Sequence, residues 1–360
     1  MRIGRWEAKS SGELCQGVKL FTFSRMAPTL RDVADRAGVS IATASRVANR
    51  LDSVKPETRE RVRRAMQELM YVPLRHSGIT GAIGLLVPEL ANPVFPALAQ
   101  AMETGAKAWG FASILCNTEG SPTTESDYVH MLLERQVAGM IFISCEGADL
   151  EADHTHYRRL LAQGARLVFV NGAPRGLDAP AVGVDERAAG HLATSYLLGL
   201  GHRRIGFVAG PARFLPTVEK AHGRADALRA AGLDAARLIA HEEFSVKGGR
   251  RSLRRLLHED EPPTGVICSS DLMAIGALQE AYEQGLAVPE QLSIVGFDGI
   301  DAATWTRPTL TTVAQPIGGI AEMAVNALSS LTKEPGRHVP NFLFRPRIRE
   351  GGSCAPPRKK

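Results

Sequence analysis

Apolar positions repeat at helical spacing up to about residue 70 and in strand-length runs from residue 82 onward. In the first part, Thr29 followed by Asp32 fits a capping box, so a helix is expected from Leu30 with Val33, Ala34 and Ala37 on one face. Gly38 can take the left-handed conformation that ends such a helix. Ser40 is placed to cap a second helix, in which Ala44 and Val47 point inward while Ile41, Ala42, Ser45 and Arg46 point outward. Pro56 and Glu57 open a third, where Val62, Ala65, Met66 and Leu69 repeat at i, i+3, i+4 and i+7. Two short helices joined at a glycine elbow and backed by a third predict a helix-turn-helix module, whose second helix can enter a DNA groove.

The longer part alternates differently. The runs AIGLLVP, FASILCN, GMIFISC, RLVFVN, AVGVD, RRIGFVAG, TGVICSS and LSIVGFD read as buried strands separated by helix-length segments, among them Pro93 to Trp109 and Thr123 to Gln136. That rhythm predicts an α/β body of doubly wound parallel sheets. The strands are too many for one comfortable sheet, and the Gly/Pro-rich interval from Asn171 to Asp185 is expected to cross between two lobes. Ligands of such folds bind at the carboxyl ends of the strands, here in the cleft between the lobes.

Charge divides the chain in the same place. Residues 26 to 76 hold ten Lys/Arg against six Asp/Glu, whereas residues 77 to 357 hold 25 against 30, so a cationic head sits on a mildly anionic body. Runs such as Met140 to Cys145 are far shorter than the roughly 20 residues needed to span a bilayer. Residues 1 to 25 have no secretory pattern, so a cytoplasmic protein is expected. The five cysteines, odd in number and without CxxC spacing, suggest free thiols rather than zinc or disulfides. His154 and His156 form an HxH pair in an acidic polar stretch without further ligands, which reads as solvated surface, so no metal is expected. No phosphate loop or nucleophile elbow stands out, which argues against an enzyme and against a cofactor.

With head and body read, TLRDVADRAGVSIATASRVAN, PETRERV, IGLLVPELANPVF, GHRRIGFVAG, SSDLMAIGALQEAYEQGLAVPEQLSIVGFD and PTLTTVAQP appear in an order that resembles the LacI/GalR family of bacterial transcription regulators, from about Pro28 to Glu350. The resemblance implies a homodimer on a pseudo-palindromic double-stranded DNA operator, and a body similar to periplasmic sugar-binding proteins that closes on a small, carbohydrate-like effector. It also suggests that Met26 is the natural start. The expected organisation is a disordered extension over 1–25, a helix-turn-helix domain over 26–73, a linker over 74–81, a two-lobed effector-binding and dimerisation domain over 82–350, and a flexible basic tail over 351–360. The linker departs from the family, since LRHSGITGA after Pro73 is about five residues short of a hinge helix, so either the operator is read without the central kink or Leu74 or Ile79 improvises the minor-groove wedge.

By resemblance, Ile41 and Ala42 occupy the base-reading positions, where apolar contact with thymine methyls is available, with Ser45 and Arg46 behind them. Thr29, Ser40, Thr43 and Asn49 would position the backbone. In the body, the Asp298 carboxylate at the end of VGFD can accept two hydroxyl hydrogens from one ligand or can cap the following turn. Lys220 stands where the family usually has a ligand-forking Arg, and Asn171 where an Asp is common, so the ligand chemistry is expected to differ. Phe244 could stack on the ligand or lie in the core, Ser270 completes a polar wall beside Asp271, Asn92 and Phe95 face from the opposite lobe, and Gln315 lies on a crossover strand. Two other classes remain: an orphan regulator without a small effector, and a plain solute-binding protein.

Overall fold

A computed structural model describes residues 29–48, 54–69, 71, 81–334 and 336–358, which belong to two compact units, 1–78 and 79–360. The first unit is a three-helix head. Its α1 (Leu30–Ala37) starts at a reciprocal capping box, with the Thr29 amide donating to Asp32 Oδ2 at 2.7 Å and the Asp32 amide donating to Thr29 Oγ1 at 3.3 Å. The Thr29 amide and hydroxyl, both donating to the carboxylate, hold the Asp32 carboxyl below the usual carboxylate range. The helix stops at Gly38, which is left-handed at φ 63°, and Arg61 donates to the open carbonyls of Ala37 and Gly38 at 3.1 and 3.2 Å. In α2 (Ile41–Ala48), Ser40 Oγ accepts from the Thr43 amide at 3.1 Å, while α3 (Pro56–Glu68) opens on proline, where a missing N–H leaves nothing unpaired. Val33, Ala34, Ala37, Ala44, Val47, Val62 and Ala65 form the buried core that the helical spacing predicts.

The second unit alternates strands and helices. Its first part runs β1 (Gly81–Val87), α4 (Val94–Ala108), β2 (Phe111–Asn117), α5 (Pro122–Glu134), β3 (Gly139–Ile143), α6 (Thr155–Ala162), β4 (Leu167–Val170) and β5 (Ala181–Val184). There follow α7 (Glu186–Gly199), β6 (Ile205–Ala209), α8 (Leu215–Ala230), β7 (Ile239–His241), α9 (Val246–Leu257), β8 (Gly265–Cys268), α10 (Asp271–Glu283) and β9 (Ser293–Asp298). The chain ends with α11 (Ala302–Trp305), β10 (Thr311–Ala314), α12 (Ile317–Lys333), β11 (Phe342–Phe344) and β12 (Arg347–Arg349). The described strands form two six-stranded sheets, ordered β11-β5-β4-β3-β1-β2 and β12-β10-β9-β8-β6-β7. Their ladders are parallel apart from the antiparallel β10–β12 pair. Every residue of β3 and of β9 is buried, which is why these strands read as continuous apolar runs.

Three expectations need correcting. The interval from Asn171 to Asp185 does not cross between lobes, because β4 and β5 on either side of it pair directly, Phe169 with Ala181 and Val170 with Val182. Its glycines and prolines mark a turn, and the buried AVGV run that follows takes the nearest ladder partner. The crossings come after β5, after β10 and between β11 and β12. Nor is the end of the chain a loose tail over its described part, 351–358. Ser353 is fully buried, its hydroxyl donating to the Ile294 carbonyl at 2.6 Å and accepting from the Thr311 amide at 2.8 Å, while its carbonyl accepts from the Ile294 amide at 2.9 Å. Amides inside the lobe need acceptors, and this segment supplies them.

The His154 and His156 rings are half-buried rather than solvated. Since α6 packs its first turn on a short 3-10 turn, Glu146–Ala148, His154 Nε2 comes 3.1 Å from the Glu146 carbonyl and the His156 ring 3.8 Å from that of Tyr157. Glu125 lies beneath them, accepting from the Tyr157 hydroxyl and, at 3.0 Å, from the Glu146 amide. The three-residue strands β7, β11 and β12 escape the sequence pattern because they are too short to show a period. No described helix is long and apolar enough to cross a membrane.

Candidate functional site

Residues just past the carboxyl ends of the strands converge on a cleft between the two lobes, where they line a cavity of about 730 Å³. Asn92, Phe95, Asn171, Lys220, Phe244, Ser270, Asp298 and Gln315, read from the sequence as one group, all lie on its wall.

Asp298 forms the floor and is 6% exposed. Its φ of 120° is a conformation that side-chain-bearing residues rarely take, at a cost of about 1–3 kcal/mol, and it must be held in place. The neighbouring Asp271 does this: its carboxylate accepts from the Gly299 and Ile300 amides at 2.7 and 2.9 Å and from the Thr312 hydroxyl at 2.6 Å, clamping the turn that follows Asp298. Burial pushes the Asp298 carboxyl well above its usual range, the Asp271 charge adds to this, and Lys220 opposes it. Gln315 Nε2 donates to Asp298 Oδ1 at 2.8 Å, and Asn171 Nδ2 donates to Gln315 Oε1 at 3.0 Å. This chain of amides ties the floor of one lobe to the strand end of the other, and it leaves the buried Asn171 Oδ1 without a hydrogen-bond partner.

Lys220 does not present an open charge. Its Nζ lies 2.6 Å from Glu186 Oε2, an ion pair rather than a well-angled hydrogen bond, and 3.7 Å from the centroid of the Phe297 ring. Burial raises the Glu186 carboxyl above its usual range, and the Lys220 charge pulls it back. The pair exists because α7 and α8 touch backbone to backbone. A Cβ at Gly190 would overlap the Lys220 carbonyl, and one at Gly223 the Arg187 carbonyl.

The walls are aromatic. Phe95, Phe214, Phe244 and Phe297 line the cavity, with the Phe214 and Phe244 ring centroids 6.0 Å apart. Ser270 caps α10, accepting from the Met273 amide at 3.2 Å, and Asn92 accepts from the Val94 amide at 3.3 Å. At the mouth, Arg213 pairs with Asp149 of the facing lobe at 3.1 Å, and its carbonyl accepts from the Leu150 amide at 2.8 Å. The sequence reading missed Glu186, Arg213 and Phe214. Glu186 was within reach, since it closely follows the buried AVGV run at the end where ligands of this architecture sit; Arg213 and Phe214 lie in a loop without a period.

In the head, Ile41 is 44% exposed at the first turn of α2, so it is not part of the core, and Ala42 and Arg46 share the exposed face with half-buried Ser45 beside them. The hydroxyls of Thr29, Ser40 and Thr43 are engaged at the starts of α1 and α2, Ser40 and Thr43 lying 2.9 Å apart. Asn49, Leu74, Ile79 and the segment 1–25 lie outside the described residues.

Comparison with known proteins agrees with this division. Residues 29–73 match the model of bacterial regulatory proteins of the lacI family, and residues 194–354 match a periplasmic binding protein-like domain. An HTH-type transcriptional regulator in the aml 5′ region of Streptomyces limosus is 42% identical over 91% of this chain and 95% of its own length. The HTH-type transcriptional regulator MalR of Streptomyces coelicolor is 39% identical over 92% of this chain and 97% of its own. Among solved structures, the complex of the transcriptional regulator CelR with cellobiose superposes with a TM-score of 0.70 at 29% identity, covering 91% of this chain and 99% of that one. With a capped three-helix head, two parallel-sheet lobes around a polar-floored cleft, and relatives alike over almost their whole length, the chain belongs to the LacI family of bacterial regulatory proteins.

Proposed function

We propose that the chain is a homodimeric cytoplasmic repressor that binds a pseudo-palindromic operator through α2 and changes its operator affinity when a carbohydrate occupies the cleft. The observation that carries this reading is the cavity itself. Its floor offers a buried carboxylate and an amide chain to hydroxyl groups, and its walls offer aromatic faces on which the C–H side of a sugar ring can rest. The cellobiose complex of CelR supports a sugar, and about 730 Å³ leaves room for two rings. On the DNA side, Ile41 and Ala42 offer apolar contacts to thymine methyls, Arg46 a guanine edge or a phosphate, and Thr29, Ser40, Thr43 and Asn49 the positioning bonds.

The test is retardation of a DNA fragment from the chain's own promoter region, with and without a panel of mono- and disaccharides and nucleosides, alongside calorimetry. A sugar that binds and alters retardation is expected. A nucleoside acting in its place would replace the carbohydrate, and absence of retardation at low salt would remove the DNA reading. Asp298→Ala is expected to keep retardation and lose the ligand response; a variant still responding as wild type would take Asp298 out of the site.

A further inference from the structure

The charges around the cleft narrow the class of sugar. Five carboxylates (Glu89, Glu119, Glu186, Glu243 and Asp298) and two cations (Lys220 and Arg213) line the cavity. Both cations have partners within the protein, Lys220 in a buried pair and Arg213 in a half-exposed one made through its Nε. The Lys220 side chain, 6% exposed, sits between Glu186 at 2.6 Å and the face of Phe297 at 3.7 Å. Arg213 pairs with Asp149 at 3.1 Å and lies over the ring of Phe214 at 5.0 Å.

Helix amino ends, the other common seat for an anion, are capped by side chains at α7, α9 and α10. The helices α4, α8 and α12, which also begin at the cavity, have no cap residue of their own, but the Val94 and Phe95 amides of α4 donate to Asn92 and the Thr217 and Val218 amides of α8 to the Phe214 carbonyl. Asp185 accepts from the Ala188 amide at 2.8 Å at the start of α7, Ser245 from the Gly248 amide at 2.9 Å at the start of α9, and Ser270 from the Met273 amide at 3.2 Å at the start of α10. A phosphoryl group needs a cation or an open helix end. Drawing Lys220 toward a ligand would strand a buried Glu186 carboxylate, and leaving such a charge unpaired is strongly unfavourable.

We propose that Glu186, by holding Lys220 in a buried ion pair, restricts the cleft to uncharged sugars and excludes their phosphorylated forms. This rests on the carbohydrate reading above. Glu186 acts through Lys220 and is therefore a positioning residue: it neutralises from behind the buried cation of the cavity wall.

The experiment is calorimetry of the full chain, of Glu186→Gln and of the double variant Glu186→Gln/Lys220→Met. The ligands are glucose, maltose and cellobiose, each paired with its 6-phosphate, on the non-reducing ring for the disaccharides. Wild type is expected to bind at least one neutral sugar and to bind its phosphorylated form about tenfold more weakly or worse. Glu186→Gln, nearly isosteric, unmasks the Lys220 charge and is expected to shrink that ratio by about tenfold. The double variant, which buries no charge at this pair, is expected to restore discrimination and provides the comparison with wild type if the single variant melts early. Equal affinity of wild type for both forms, or loss of discrimination in the double variant, overturns the role of Glu186 and leaves the carbohydrate reading standing. So does a folded Glu186→Gln whose ratio does not move. If wild type binds none of these sugars while still retarding operator DNA, the carbohydrate reading fails and this inference with it.

Discussion

Single residues show where the body is sensitive to protons. Glu125 is 2% exposed, and burial pushes its carboxyl up to about 7 against the opposing bonds from Tyr157 and the Glu146 amide. Asp271, clamping the turn after Asp298, is pushed by burial up to about 6. A carboxyl that holds its proton more tightly folded than unfolded stabilises the fold fully below its unfolded value, and that stability is lost as pH rises through the folded value. The window therefore runs from about pH 4 to about pH 7, and stability from these groups falls upward across it. For Glu125 the full effect is at most about 3 kcal/mol. Melting temperature is expected to drop between about pH 5 and pH 8 in wild type, with a drop several degrees smaller in Glu125→Gln. Identical slopes would exclude Glu125 as a source. No sequence pattern announced this residue, because one Glu on an amphipathic helix looks like any other until the element covering it is known.

Among the elements, α2 and the α7–α8 pair matter most. The short α2 keeps its register through the Ser40 cap and the buried Ala44 and Val47, which leaves Ile41, Ala42 and Arg46 outward. Arg46→Ala is expected to weaken operator binding by about tenfold or more at matched salt without lowering the melting temperature. A salt slope lower by about one would mark a phosphate contact, and relaxed base preference a groove contact. Unchanged affinity would remove Arg46 from the interface. The α7–α8 contact does for the cleft what the capping box does for the head, since Gly190 and Gly223 allow the backbone approach that sets Glu186 opposite Lys220. Capping and periodicity made the three head helices legible to within a residue, because those signals are local. The same kind of reading misjudged the interval from Asn171 to Asp185, where composition showed a turn but could not show which sheet received the next strand.

At the scale of the whole body, the lobes are joined on one side by the Asn171–Gln315–Asp298 chain and at the mouth by Arg213 against Asp149 and Leu150. A ligand that touches both lobes stabilises closure only by the difference in its contacts between the open and closed forms. Removing the latch at the mouth shifts that balance without touching the floor. Arg213→Ala is expected to weaken sugar binding severalfold and to raise the radius of gyration of the ligand-free protein in solution scattering, with saturating sugar restoring the wild-type value. Unaltered affinity together with unaltered scattering would show that the mouth contact does not contribute to closure.

What the chain determined by itself was local: where helices begin and end, which runs must be buried, and which end of a parallel sheet opens on the cleft. These follow from hydrogen-bond capping, from side-chain period and from the direction of the strands, none of which needs a distant partner, whereas the eight residues that share one cavity wall came from strand ends together with the resemblance to the family. The tertiary structure alone decided that the end of the chain is packed through Ser353, that the histidine pair is half-buried over Glu125, and that Lys220 is matched by Glu186. Each of these depends on groups apart in the chain, whose charge and hydrogen-bonding needs are met only once the lobe that holds them has folded.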